Sequence, residues 1–331
     1  HGVKRSRIDA QAQAAKQKED AHIRDTYAEL VEQCWMKRSA KEYSLASLAQ
    51  TTKVLDINPE FYTIWNFRRE ILLGGLLDGQ VLTSVTLLQQ DLKLTVSYLQ
   101  IHPKVYWIWT HRKWCLERMP DDIEDHVNWK QQTWKAELGL VEKMLERDAR
   151  NFHAWDYRRH VLASGFPNRG PDAELKYTTK KIEGNFSNFS AWHQRTKVLG
   201  SLWEDMQREG IRENLDEIER MKQAEFELVL QALWTDPGDQ SGWLYHRWLK
   251  ETGEDELILG REIDNIRELL DVEPDAKWPL DSLVHYSMLQ LGRHGVSDAS
   301  MVKLDIERWL SRLQQVDPFR RRRYAELRKS R

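Results

Sequence analysis

Two short clusters hold the side chains best suited to chemistry. The first is Lys104 and Tyr106 in HPKVYWIW, and the second is Asn151 and His153 in NFHAW. The spacing predicts that Lys104 lies in the first turn of a helix. Free N–H groups and the positive helix end favour anions there, and a lysine adds a full charge. The alternative is a solvated lysine. Tyr106 offers a phenolic donor or an aromatic packed within a hairpin, and His153 a titratable imidazole or a hydrogen-bonded interface histidine. Asp121-Asp122-Ile123-Glu124-Asp125 fits the DDxxD pattern that holds a magnesium-bound diphosphate. That chemistry needs a second cluster and a helix facing an apolar cavity. Here the run follows Met119–Pro120 and has no second copy, so it reads as an acidic solvent loop.

Both clusters belong to a repeat. An Asn, Asp or His stands seven residues before a Trp, and an Arg follows that Trp by three or four positions. The pairs are Trp65 with Arg68, Trp109 with Arg112, Trp155 with Arg158, Trp192 with Arg195 and Trp243 with Arg247. DVEPDAKW ends a weaker copy at Trp278, and DPFRRRRY puts Tyr324 in the Trp slot. Repeats of this length are helical hairpins that share a core with their neighbours. The Trp side chains are expected to fill the space between stacked helices, with the indole N–H on a partner. One substrate cannot use an arginine from every repeat, so these arginines are expected to form ion pairs with neighbouring helices.

The expected fold is all-α, a right-handed crescent or solenoid of about seven antiparallel hairpins in one domain over 1–331. It comprises a polar arm over 1–20, hairpins over 21–318 and a basic tail over 319–331, with a helical period starting at Ile23. First helices of the hairpins are predicted near Ser44–Asp56, Leu88–Gln100, Trp134–Arg147, Asp172–Ile182, Glu213–Leu233 and Asp255–Leu270. Asn58–Pro59, Asp236–Pro237 and Asp317–Pro318 read as starts of second helices, an Asn or Asp cap followed by Pro.

Composition narrows the function. Charged residues are 31% of the 331 and leave a net charge of −2, so no overall field calls for nucleic acid or a membrane. Cys34 and Cys115 form no CxxC, which suggests a reducing compartment. The basic HGVKRSR lacks an apolar signal region, and no apolar stretch approaches a membrane span, so the expected location is cytoplasmic. No HExxH, Walker A or GxGxxG motif occurs.

The five Trp–Arg copies resemble the alpha subunit of protein prenyltransferases over nearly the whole chain. The opening HG, NFHAWDYRR, NFSNFSAWHQR and DQSGWLYHRWL are most similar to the type II, or Rab geranylgeranyltransferase, alpha subunit in its compact fungal form, without immunoglobulin-like or leucine-rich domains. The resemblance implies an obligate beta subunit that holds the catalytic zinc and most of the lipid pocket. It implies transfer of geranylgeranyl from its diphosphate, with magnesium as a possible companion, to C-terminal cysteines of Rab GTPases presented by an escort protein. It puts the diphosphate-contacting lysine at Lys104, a donor at Tyr106, and Asn151 and His153 near the partner's active-site mouth. Phe152 stands where farnesyltransferase has a Tyr, so no hydroxyl role carries over. His1 is implied as a ligand that could reach the partner's zinc and inhibit the resting enzyme. Escort docking is implied on Asp172–Ile182, Glu213–Leu233 and Asp255–Leu270. The alternatives are a farnesyltransferase or type I alpha subunit and a non-enzymatic helical-repeat scaffold. A helical terpene synthase fails on the lone DDxxD.

Overall fold

Helix formation here follows strong local preferences closed by recurrent tight turns. A computed structural model describes residues 10–77, 79–120, 129–252, 256–292 and 299–329. Among the described residues an opening helix, α1 (Ala10–Ser39), is followed by seven antiparallel hairpins. These are α2 (Leu45–Ile57) with α3 (Tyr62–Ile71), α4 (Val81–Ile101) with α5 (Tyr106–Glu117), and α6 (Trp129–Arg147) with α7 (Phe152–Gly165). Then come α8 (Pro171–Gly184) with α9 (Phe189–Glu209), α10 (Arg212–Thr235) with α11 (Gln240–Glu251), α12 (Glu256–Val272) with α13 (Lys277–Leu291), and α14 (Ala299–Val316) with α15 (Arg321–Lys329). The described residues contain no strand. Contacts divide the chain into two compact units, His1–Pro167 and Asn168–Arg331, where the sequence predicts one domain. In a repeat array each hairpin contacts its neighbours, so a division falls naturally at a hairpin boundary.

Three expectations shift. The polar arm over 1–20 is helical from Ala10, because AQAQAAKQKED is rich in strong helix formers and has neither Gly nor Pro. That stretch is largely exposed, and Ile23 is exposed too, whereas Cys34 further along is buried. The Asn–Pro and Asp–Pro pairs at Asn58 and Asp236 do not begin helices. Asn58 and Asp236 end α2 and α10, and their side chains accept from the N–H two residues on, of Glu60 at 3.1 Å and Gly238 at 2.9 Å. Asp148 and Asn185 make the same turn. The second helices of these two hairpins therefore start about one turn later than predicted, whereas Asp317–Pro318 does open the 3-10 turn that leads into α15. The basic tail is the closing half of the last hairpin: α15 packs on α14, and Tyr324 is buried with its hydroxyl on Asp317 Oδ2 at 2.8 Å.

The Trp slot does the same thing in five hairpins. Nε1 of Trp65, Trp109, Trp155, Trp192 and Trp243 donates to the carbonyl six residues earlier, at 2.8–3.0 Å. Each indole is nearly fully buried and ties the turn between its two helices to the core. Tyr324 ties its turn differently, donating its O–H to the side-chain carboxylate of Asp317 seven residues earlier.

The arginines form buried clamps. Arg68 Nη1 donates to Leu48 O, Thr51 Oγ1 and Thr52 Oγ1 on the helix before it, and its other nitrogens bind Asp91 of α4 in a fork. Arg112 holds Leu92 O, Thr95 and Glu137 in the same way. Arg195 holds Leu175 O, Thr178, Thr179 and Glu225. Each carboxylate takes a second bond from the hairpin it belongs to: His111 on Asp91 at 2.8 Å, Tyr157 on Glu137 at 2.6 Å and Tyr245 on Glu225 at 2.6 Å. Arg158 is buried and reaches Glu142 at 3.4 Å.

Arg247 departs from the expected pattern. The slot three residues past Trp243 belongs to His246, which is fully buried. Its Nε2 is hydrogen-bonded with Glu262 at 2.9 Å and its Nδ1 with the Tyr286 hydroxyl at 2.7 Å. Arg247, one position on, sits at the rim and pairs with Asp281 at 3.0 Å.

Removing one partner of a buried ion pair strands a charge and costs about 3–5 kcal/mol. Arg195→Ala should lower stability by that amount in urea titrations. Arg247→Ala, outside the slot, should cost distinctly less. Equal losses would show that the clamp has no special weight.

Candidate functional site

The second and third hairpins bring the two sequence clusters together. Asn151 caps α7: its Oδ1 accepts from His153 N at 3.1 Å and Ala154 N at 3.4 Å. Its Nδ2 crosses to the preceding hairpin and donates to Pro103 O at 3.1 Å. That bond fixes the turn that carries Lys104. The His153 ring is buried and meets the Tyr106 ring edge-on at 4.2 Å. Burial lowers its pKa; Asp156 and a hydrogen bond to the Lys104 main chain oppose this, while the Lys104 charge adds to it. All four candidates, Lys104, Tyr106, Asn151 and His153, are thus neighbours.

Lys104 itself stands ahead of the helix. Val105 is the cap of α5 and Tyr106 its first residue, so the lysine lies in the turn before the first turn. Its side chain is 66% exposed and its Nζ is 3.0 Å from Asp148 Oδ2. Burial opposes the Asp148 charge, but Lys104 and the Arg150 N–H prevail and hold its carboxyl below the usual range. An exposed pair of this kind is worth about 0–1 kcal/mol. The ammonium can therefore turn to a stronger anion at little cost.

Exposed aromatic rings recur at one position of the repeat. Tyr62, Tyr106, Phe152 and Phe189 each open the second helix of a hairpin, and each is exposed. Within the first unit the Tyr62 ring lies 5.4 Å from that of Trp107, and the Tyr106 ring 6.0 Å from that of Phe152. From the sequence, Tyr106 is given a role and Phe152 is named only as lacking a hydroxyl. The signal was present, since each of the four stands three residues before its Trp.

The only group of three or more possible metal ligands among the described residues is Asp91, His111 and Cys115, all buried, with ligand atoms within 4.8 Å. The donor set does not suit a divalent ion. Asp91 is gripped by the Arg68 fork and accepts from His111 Nε2, while His111 Nδ1 faces Arg69 Nε at 3.4 Å. Burial pushes the Cys115 thiol well above its ordinary pKa, so the thiolate is disfavoured. A cleft of about 370 Å³ between α4 and α6, lined by Lys93, Trp129 and Leu140 over the Arg112–Glu137 pair, contains none of the four candidates. His1 and the Asp121–Asp125 run lie outside the described residues.

Helical hairpins with Trp-anchored turns and Arg clamps define the chain as a helical repeat of the protein prenyltransferase alpha-subunit class. The family model "Protein prenyltransferase alpha subunit repeat" matches residues 45–74, 88–119, 134–165, 171–202 and 222–249. A curated protein of Schizosaccharomyces pombe, geranylgeranyl transferase type-2 subunit alpha, is 37% identical over 99% of this chain and 97% of its own length. The Dictyostelium discoideum protein of the same name is 34% identical over 99% of this chain and 98% of its own. A solved chain of Candida albicans protein geranylgeranyltransferase-I complexed with GGPP shares the fold, with a TM-score of 0.70 at 20% identity, covering 92% of this chain and 90% of that one. The chain belongs to the family of geranylgeranyl transferase type-2 alpha subunits. None of its described helices is long and apolar enough to cross a membrane.

The His111 cluster makes stability depend on pH. Burial pushes its imidazole down to about 4, against the Asp91 hydrogen bond that raises it. In the unfolded chain it titrates near 6.5. Below that value the unfolded state takes up the proton and the folded state does not, so stability falls as pH drops from about 6.5 to about 4. The full loss is roughly 3 kcal/mol. Denaturation across this window should show the slope, and His111→Gln should flatten it.

Proposed function

We propose that this chain is the alpha subunit of a heterodimeric protein geranylgeranyltransferase. The transfer is of geranylgeranyl from its diphosphate to C-terminal cysteines of Rab GTPases presented by an escort protein. The observation that carries this reading is the near full-length similarity to the fission yeast type-2 alpha subunit. The beta subunit would supply the zinc that activates the cysteine and most of the lipid pocket.

This chain's own contribution is electrostatic and positional. In the reaction the cysteine sulfur bonds to C1 of the lipid, the C–O bond breaks and diphosphate leaves with its added charge. Lys104, released from Asp148, would neutralise that charge. Tyr106 stands two residues on and is exposed, and its hydroxyl would donate to the departing oxygens. Magnesium, where it accompanies the diphosphate, would share the same role. Asn151 and His153 touch no reacting atom in this reading. They hold the Lys104 turn against the next hairpin. The exposed aromatics Tyr62, Trp107, Phe152 and Phe189 fit anchors for the beta subunit, since aromatic side chains dominate interface energetics. Escort binding is proposed for the exposed faces of α8, α10 and α12.

The chain alone should show no transferase activity, and co-expression with a type II beta subunit should restore it. Robust prenylation by the isolated chain would refute the subunit reading. Lys104→Ala should slow single-turnover transfer about ten- to a hundredfold, the loss of one charge-assisted contact of about 1.5–3 kcal/mol. Its thermal midpoint should stay near that of the wild type, because the Asp148 pair is exposed. Unchanged kinetics would return Lys104 to the solvated class.

A further inference from the structure

The last hairpin ends in a surface that the transferase reading leaves unused. Over 318–329 there are six basic residues, Arg320, Arg321, Arg322, Arg323, Arg328 and Lys329, against one acid, Glu326, in a chain of net charge −2. Three of the six are engaged. Arg320 lies 3.6 Å from Asp317 and over the Trp278 ring, Arg323 lies 3.5 Å from Asp281, and Arg328 lies 2.8 Å from Glu307. Arg321, Arg322 and Lys329 are exposed and make no ion pair among the described residues. Arg322 and Lys329 stand two helical turns apart, so they share one face of α15.

Beside them Phe319 is 100% exposed, more than any other large apolar side chain described. This is not a frayed end. The turn that carries it, Pro318–Arg320, is closed by Arg320 N on Asp317 O at 3.2 Å and by the buried Tyr324 hydroxyl on Asp317. A closed turn thus carries one fully exposed aromatic ring two and three residues ahead of the unpaired Arg321 and Arg322. An aromatic or aliphatic wedge next to arginines is how proteins engage the boundary between headgroups and acyl chains. Guanidinium forks suit phosphate oxygens in particular. A protein partner would call for a broader apolar centre with a polar rim. Here the apolar part is a single ring and the rest is positive charge.

We propose that Phe319, Arg321, Arg322 and Lys329 form a docking point for an anionic membrane surface. The ring enters the interface while the cations hold lipid phosphates. The test is co-sedimentation of the full chain, alone and paired with its beta subunit, with phosphatidylcholine vesicles and with vesicles carrying about a third phosphatidylserine. Both forms should bind the phosphatidylserine vesicles and lose them at high salt, as screening requires. Arg321→Ser, Arg322→Ser and Lys329→Ser should each weaken binding about fivefold, and Phe319→Ser about tenfold. Thermal midpoints should not move, since these side chains are exposed. Several results would overturn the proposal. They are no binding to phosphatidylserine vesicles, binding that the variants leave intact, or binding by the chain alone that the beta subunit abolishes, which would assign the surface to a protein interface. Phosphate-driven thermal stabilisation lost in the arginine variants, without vesicle binding, would show a free-phosphate site and would equally refute it.

Discussion

One carboxylate serving two helices of different hairpins is the interaction on which the array depends. Glu137 receives the Arg112 fork from one hairpin and the Tyr157 hydroxyl from its own; Glu225 does the same for Arg195 and Tyr245, and Asp91 for Arg68 and His111. Both oxygens of each carboxylate are engaged, and pairing of this kind is the condition under which a buried charge is tolerated. Apolar packing alone would let the hairpins slide or rotate against one another. A bidentate fork admits one register. The first hairpin shows what happens where the chain of clamps begins. Phe67 occupies the place of Tyr157, and the residue opposite, twenty earlier, is the buried Ser47 and not an acid.

The candidate site inherits its geometry from that register. Trp109 Nε1 and Asn151 Nδ2 converge on the same Pro103 carbonyl, one from within the hairpin and one from the next. The turn bearing Lys104 is held from both sides while the lysine itself stays in solvent. Rigid backbone with a loosely paired cation is a suitable arrangement for charge that develops only during reaction.

Much of this was legible in the sequence, and the failures have physical causes. The Trp–Arg recurrence fixed the class of fold and the number of hairpins, because a buried indole and a buried guanidinium tolerate few replacements. The turn starts were misplaced because Asn58 and Asp236 precede prolines, and the same dipeptide suits a helix start and a side-chain turn. Arg247 forms the ion pair expected of the repeat arginines, with Asp281, but from the rim: on a helix one position is 100° of rotation, and His246 has the inward slot. The shared acids drew no attention, being few among many charged residues. Their signal is a separation of twenty from the residue two past each Trp, as in Glu137 with Tyr157 and Glu225 with Tyr245. The exposed aromatics do recur three residues before each Trp, but the buried indole beside them is the stronger signal and draws the reading to the core.

The clamp separations divide the chain into stretches that can and cannot change length. Within a hairpin, Arg to carbonyl is twenty residues in three cases, Leu48–Arg68, Leu92–Arg112 and Leu175–Arg195, and Arg to Thr is seventeen. Between hairpins, Arg to carboxylate runs to 23, 25 and 30. Insertions and deletions are therefore absorbed where one hairpin gives way to the next, and one residue gained inside a hairpin would turn its arginine away from its threonines. Whole modules grafted onto such an array, by evolution or by design, would find their permissive sites at those junctions.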